Sequence, residues 1–172
     1  AAGVMSIERG TNPTDSGAPF YDAYQCADER WVSLAAVEKK FYAQALGVLG
    51  LAELLPDQWK RETWPAAKER IAARFRSRSQ AQWCEAFEGI EACFAPVLTL
   101  AEAPDHPHLK ARSVYVEVDG VTQPMPAPRF SRTPAATPQA FKPWNPQEAQ
   151  DILGPWLDEG AIAAARQAQV FD

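Results

Sequence analysis

The segment YDAYQCADERWVSLAAVEKKF, residues 21–41, changes from a strand pattern to a helix pattern along its length. Its polar run at 27–30 separates two apolar stretches, which predicts a hairpin with strands at 24–26 and 31–34. From residue 37 onward, apolar positions recur every three or four residues, which predicts a helix with one buried face that ends near Gly50. A short sheet that continues into helices indicates an α/β fold, more narrowly a small α+β domain.

The rest of the chain carries further local signals. Pro65 suits the first turn of a helix, and Ser79 followed by Gln82 has the spacing of a capping box. Asp119-Gly120 is a favourable hairpin turn. The expected elements are a helix over 63–76, a third helix from Ser79 with Trp83, Phe87 and Ile90 on one face, a strand over 92–98 that Pro96 places at an edge, and a hairpin of 114–118 with 121–123.

Composition divides the chain into four segments. Seven of the fifteen prolines lie between Pro124 and Pro146, which predicts an extended stretch. Helical patterns return at 146–153 and 158–170. We therefore expect a linker arm at 1–20, a small α/β domain at 21–104, a hairpin and Pro-rich linker at 105–146, and C-terminal helices at 147–172 that return to a larger domain. Because Ala1 is not Met, we interpret the chain as a cut or processed piece.

Charge and cysteine content exclude several classes of partner. A net charge of −5 argues against nucleic acid or an anionic membrane as the main partner, and no apolar run approaches the roughly 18 residues of a membrane span. The three cysteines have no CxxC spacing, so they predict neither a disulfide framework nor a zinc site. We interpret Cys26, Cys84 and Cys93 as small buried apolar residues in a protein of the reducing cytoplasm.

Two polar clusters each allow a functional and a structural interpretation. Residues 60–78 carry seven basic and two acidic side chains, and Arg70, Arg74 and Arg78 recur every four residues. They form either a phosphate-binding patch or a solvated helix face, and the missing aromatic residues favour the second. The sequence Asp105-His106-Pro107-His108 contains metal-ligand types, but two histidines two residues apart do not converge on a helix. The sequence predicts no metal site there.

Glu38 lies where the apolar stretch at 31–37 changes to a helix. A Glu in the first turn of a helix is favoured by the helix dipole, which is one interpretation. The other is a carboxylate fixed at the mouth of a cleft between apolar neighbours. The spacing of residues around Glu38 does not distinguish these two interpretations.

Six motifs together carry a resemblance to a known family. The stretches SGAPFYDAY (16–24), CADERWV (26–32), AVEKKF (36–41), GIEACFAPVLT (89–99), APDHPHLKAR (103–112) and PAPRFSRTP (126–134) resemble GGAPFYDTY, CADGRYV, AIEPQF, GTDACVAPVLT, APxHPHxxAR and PAPRFSRTP. These are motifs of family III CoA-transferases (the CaiB/BaiF superfamily), in the branch of the α-methylacyl-CoA racemases. The resemblance covers nearly the whole chain, in order.

The resemblance implies an interlocked homodimer whose subunits have a large CoA-binding α/β domain and a small α/β domain. It implies interconversion of 2R and 2S 2-methylacyl-CoA thioesters by two-base α-proton transfer, with coenzyme A thioester as the substrate and no cofactor. The Glu of the family motif falls on Glu38, and Tyr21 and Val37 match positions that line the acyl side of the cleft. The opposing His and Asp belong to the large domain, so the chain by itself is expected to be inactive.

One difference from the family motif, the Lys39-Lys40 pair, and two alternative functions remain open. Lys39 and Lys40 replace the Pro-Gln of the family motif, either lowering the pKa of Glu38 or marking a solvent-facing turn. The chain could instead belong to a true CoA-transferase, which uses an Asp nucleophile in the large domain, or serve as a non-catalytic dimerisation module. Retention of a carboxylate at Glu38 favours the racemase.

Overall fold

The computed structural model describes residues 5–140 and 148–170, which separate into two compact units with the division between residues 103 and 104. Helices combine with short antiparallel sheets, so the fold is α+β, as the sequence predicts. The first unit contains β1 (Tyr21–Gln25), β2 (Trp31–Ala35), α1 (Lys39–Leu49), α2 (Trp64–Phe75), α3 (Gln80–Ala86) and β3 (Phe94–Pro96). The second contains α4 (Pro107–Ala111), β4 (Tyr115–Val118), β5 (Val121–Pro124), α5 (Ala149–Leu153) and α6 (Glu159–Gln167).

The predicted hairpin is confirmed, although its first strand spans Tyr21–Gln25 rather than 24–26, and it forms most of the first unit's sheet. β1 and β2 are antiparallel, with Tyr21 opposite Ala35 and Gln25 opposite Trp31. β3 pairs with the other side of β2, so β2 is the central strand and β3 is an edge, as Pro96 indicated. β3 begins later than the predicted strand because Cys93 adopts a left-handed φ of 49°, which is incompatible with a strand, and it ends at Pro96 rather than at residue 98.

The predicted end of the first helix is confirmed at Gly50. Its φ of 68° is left-handed, and its N–H bonds to the carbonyl of Gly47, 3.2 Å away. The start differs from the prediction, since α1 begins at Lys39 rather than at Val37. The reason is that Glu38 has an extended ψ of 136° and is the N-cap residue.

The other two helices of the first unit follow their local signals. α2 carries Pro65 in its first turn, and Ser79 and Gln82 form the predicted capping box at the start of α3. The placement of Ile90 on the face of the third helix is wrong. That helix ends at Ala86, and Ile90 is 39% exposed. Two 3₁₀ segments between α1 and α2, Ala52–Asp57 and Arg61–Thr63, were not predicted.

The core of the first unit is largely aromatic. Phe75 lies at its centre, with ring centroids 5.2 Å from Tyr24 and 5.3 Å from Trp83. Buried side chains from the sheet and from the helices surround it: Phe20, Val32, Leu34, Tyr42, Leu46, Leu49, Trp64, Ile71 and Phe87. Sheet and helices therefore share one apolar core.

The segment before β1 packs tightly where the structure describes it. Asn12, Pro13 and residues 18–20 are buried, and the Asn12 amide N–H and side-chain NH₂ both donate to the Asp15 carboxylate. The Gly17 N–H donates to the Asn12 carbonyl, and a Cβ on Gly17 would lie 2.5 Å from that oxygen, so the turn requires glycine. The assignment of 1–20 as a linker stays a prediction.

The second unit confirms the hairpin at Asp119-Gly120, whose φ values of 53° and 76° are both left-handed. Residues 125–140 contain neither helix nor strand. α5 and α6 fall within the helical segments expected at 146–153 and 158–170, of which residues 146 and 147 lie outside the described residues. In the described parts of the chain, no helix has the length and apolar character needed to cross a membrane.

Candidate functional site

Glu38 lies at the junction between the central strand β2 and helix α1. Its carbonyl accepts hydrogen bonds from the N–H groups of Phe41 and Tyr42, both at 3.0 Å, so its backbone begins the helix. Its carboxylate makes no capping hydrogen bond and the residue is exposed. A carboxylate not used to cap the helix is available for another partner.

The backbone before Glu38 is fixed from several directions. Ala35 N–H donates to the carbonyl of Cys93 at 3.0 Å, and Ala36 N–H donates to the carbonyl of Phe20 at 2.8 Å. The carbonyl of Val37 accepts from Nε2 of Gln58, also at 2.8 Å. The junction is therefore tied to the segment before β1, to the residue before β3 and to the segment between α1 and α2.

The two lysines after Glu38 lie on the solvent side of the first helical turn. Both are exposed, and the Lys40 ammonium group lies 4.4 Å from the centroid of the Phe41 ring, a cation–π contact. The structure thus favours the solvent-facing turn, one of the two interpretations of the Lys39-Lys40 pair.

Tyr21 and Val37 lie at the same end of the sheet as Glu38. Tyr21 begins β1 opposite Ala35, three residues before Glu38. Both Tyr21 and Val37 are half-buried and pack against the apolar core with one side. The three residues named by the sequence analysis are therefore neighbours along two adjacent chain segments. Their roles in substrate binding and catalysis stay predictions.

Cys93 is a neighbour of Glu38 that sequence reasoning missed. Burial raises the pKa of its thiol, and the carboxylates of Glu38 and Glu91 raise it further, while Lys40 acts in the opposite direction. The residue is nevertheless exposed, so its interpretation as a buried apolar residue is wrong. Cys26 is buried as expected, and burial raises the pKa of its thiol to about 11, whereas Cys84 is only half-buried. The pairing of β3 with β2 brings Cys93 to this junction, and no local sequence motif predicts that pairing.

The basic stretch at 60–78 is largely engaged with neighbouring groups of the first unit. Lys68 pairs with Asp22 at 2.6 Å, and Arg70 pairs with Glu53. Nε of Arg74 donates to the carbonyl of Leu49 at the end of α1, at 2.7 Å, and the Arg78 guanidinium lies 4.8 Å from the Trp83 ring. These contacts favour a structural role over phosphate binding.

The histidine motif belongs to the second unit and forms the start of α4. His106 is the N-cap residue of that helix, and Asp105 pairs with Lys110 at 2.8 Å. Among residues 5–140 and 148–170, no three His, Cys, Asp or Glu side chains are placed to hold a metal ion.

Comparison with known proteins assigns the family. The model of CoA-transferase family III matches residues 2–151. This chain belongs to CoA-transferase family III. It is 43% identical to the alpha-methylacyl-CoA racemase of Mus musculus and 36% identical to that of Homo sapiens, over 88% and 87% of its length. The chain spans 40% of the length of each of these curated relatives.

A solved structure agrees with the described fold. The orthorhombic crystal structure of Rv3272 from M. tuberculosis superimposes with a TM-score of 0.57 at 16% sequence identity, covering 72% of this chain and 38% of that one. At this identity the likeness concerns the fold. The family model and the two curated relatives confirm the resemblance to family III that the sequence motifs carried.

Proposed function

We propose that this chain is part of an acyl-CoA racemase that interconverts 2R and 2S 2-methylacyl-CoA thioesters. The proposal rests chiefly on Glu38, an exposed carboxylate without a capping bond on a firmly held strand–helix junction, in a chain 43% identical to a racemase. Tyr21 and Val37, half-buried beside the junction, would contact the acyl group.

The chemistry requires two proton-transfer groups on opposite faces of the α-carbon. One base removes the α-proton and leaves an enolate of the thioester, whose oxygen must be stabilised by hydrogen-bond donors. An acid on the other face then returns a proton to the same carbon, which inverts its configuration. Glu38 supplies one of these groups, as base in one direction and as acid in the other. The second comes from outside this chain, from a His and Asp of a large domain.

The assembly and location follow as parts of the same proposal. The small domain of one subunit would complete the site of its partner in an interlocked homodimer, and the substrate thioester carries its own coenzyme A, so no further cofactor is required. We place the enzyme in the cytoplasm, where its three unpaired cysteines would stay reduced.

The experiment that tests the function uses the full-length protein with each 2-methylacyl-CoA epimer separately. We expect either epimer to give the same final mixture of both, measured by chiral chromatography. A CoA-transferase would instead move coenzyme A to an added carboxylic acid and leave the configuration unchanged. A dimerisation module would neither interconvert the epimers nor transfer coenzyme A. Transfer without a change of configuration, or no reaction at all, would contradict the proposal.

The same assay makes a prediction for the 172-residue chain by itself. We expect no uptake of deuterium at the α-carbon from deuterated water, because the large CoA-binding domain that would hold the thioester against Glu38 lies outside this chain. The full-length protein is the positive control. Measurable α-proton exchange by the purified chain would contradict the division of the site between domains.

A further inference from the structure

Gln58 is a buried polar residue directly behind the Glu38 junction. It follows the 3₁₀ segment Ala52–Asp57 and is only 4% exposed. Its Nε2 donates to the carbonyl of Val37 at 2.8 Å, and its own carbonyl accepts from Nε1 of the buried Trp64 at 2.9 Å. The Gln58 side chain therefore holds the junction, while its backbone is held in turn by Trp64.

The bond to Val37 acts on the peptide that precedes Glu38. That peptide joins Val37 to Glu38, so its orientation sets the direction in which the Glu38 side chain leaves the backbone. Glu38 is extended, with φ −74° and ψ 136°, although the helix begins at the next residue. Without a partner on the Val37 carbonyl, the junction could wind into one more helical residue. The Glu38 carboxylate makes no capping bond of its own that would resist this.

The surroundings of the Gln58 side chain indicate that its Nε2 donor, rather than its Oε1 acceptor, has the functional role. Its Oε1 is buried and has no hydrogen-bond partner within the part of the chain that the structure describes. Burying an unpaired acceptor is unfavourable, so packing alone would favour an apolar side chain at this position. The side chain also lines a pocket of about 120 Å³ with Pro19, Tyr42 and Thr63, which leaves room for such a replacement.

We propose that Gln58 is a positioning residue for Glu38: it holds the Val37 carbonyl so that the carboxylate faces the substrate. The inference rests on the proposed function, since it assigns Gln58 a part in the same proton transfer. Gln58 is not a catalytic residue, because it acts through the backbone of Val37.

The test is Gln58→Met in the full-length protein, which removes the donor and keeps the length of the side chain. We expect kcat for racemisation to fall about 10-fold, because displacement of a reacting group by about 1 Å can cost up to about 100-fold. KM should stay within two-fold, because Gln58 lies behind the junction. Steady-state kinetics with each epimer measure both values.

Gln80→Met is the matched control. Gln80 is also 4% exposed, and its Nε2 donates to the carbonyls of Trp31 and Val97, at 2.5 and 3.1 Å. It therefore holds the opposite end of β2. Both variants leave a backbone carbonyl without its donor, so both should lower the melting temperature, but Gln80→Met should keep kcat within two-fold of wild type. An equal fall in kcat in both variants would overturn the proposal, since loss of stability would then explain the effect.

Gln58→Glu gives a second readout that does not depend on the first. A protonated carboxyl can donate to the Val37 carbonyl, whereas an ionised one repels it, and burial raises the pKa of an introduced carboxyl above its usual value of about 4.3. The ratio of variant to wild-type kcat should therefore decrease as pH rises through that pKa. The ratio removes any pH dependence that the variant and the wild type share.

The outcomes separate the two proposals. If Glu38→Gln is inactive while Gln58→Met keeps kcat within two-fold, or while the Gln58→Glu ratio does not change with pH, the positioning role is wrong and the proposed function stands. If Glu38→Gln racemises normally, the proposed function itself fails. Should Gln58→Met not fold, the pH dependence of Gln58→Glu decides.

Discussion

Glu38→Gln in the full-length protein is expected to lower kcat for racemisation by about 100- to 10,000-fold, the usual contribution of a positioned acid or base. The amide cannot accept the α-proton as a carboxylate does, yet it has nearly the same size. Glu38 is exposed and makes no capping bond, so the substitution removes no structural contact of its side chain. The melting temperature and the binding of acyl-CoA should therefore change little, as measured by calorimetry.

Glu91→Gln is the matched control for this prediction. Glu91 is an exposed carboxylate whose charge, like that of Glu38, acts on the Cys93 thiol. The substitution makes the same change of charge in the same neighbourhood and should leave kcat within two-fold. Equal losses in the two variants would mean that net charge, rather than proton transfer by Glu38, sets the rate.

Phe75→Ala is expected to reduce the free energy of unfolding of the first unit by about 3–5 kcal/mol, the range for removal of a large core aromatic. Phe75 is fully buried, and its ring stacks with Tyr24, Phe87 and Phe94. Because domains are stable by only about 5–15 kcal/mol, the loss is large enough to unfold part of the population. Urea denaturation followed by tryptophan fluorescence measures it.

Leu100→Ala is the control for Phe75→Ala, because it removes apolar atoms from an exposed side chain rather than from a buried one. Leu100 is in the same unit and is 93% exposed, so its truncation should change the free energy of unfolding by less than about 0.5 kcal/mol. A change of under about 1 kcal/mol for Phe75→Ala, or equal changes in the two variants, would contradict the central place of Phe75 in the core.

The elements that were predicted well have signals within a few residues of one another. Gly50 ends α1 because it adopts a left-handed conformation at little steric cost, and Ser79 with Gln82 caps α3. Asp119-Gly120 accepts two positive φ values in succession. In each case the physical cause is local, so the pattern of residue types suffices.

The misses have backbone causes that the spacing of apolar residues does not show. Ile90 continues the helical spacing of Trp83 and Phe87, but α3 ends at Ala86 and Gly89 has a φ of 73°. The 3₁₀ segment at Ala52–Asp57 has no periodic signal, because it is too short to show one. β3 contracts to three residues, since the left-handed Cys93 turns the chain just before it.

The candidate site residues come from the family motif, and the structure adds two neighbours of Glu38. Spacing left Glu38 open between a structural and a catalytic role, and the resemblance to family III selected it. Gln58 and Cys93 reach the junction from 20 and 55 residues further along the chain. Their contacts arise from the packing of one segment on another, which single-sequence patterns do not encode.

The central claim, that Glu38 transfers the proton on one face of the α-carbon, is tested most directly by deuterium exchange resolved by epimer. Glu38→Gln is incubated in deuterated water with the 2R or the 2S thioester, and mass spectrometry follows uptake at the α-carbon. We predict that exchange of one epimer is abolished, while the other still exchanges through the opposing base. Wild-type exchange of both epimers would contradict the account and leave Glu38 a structural residue.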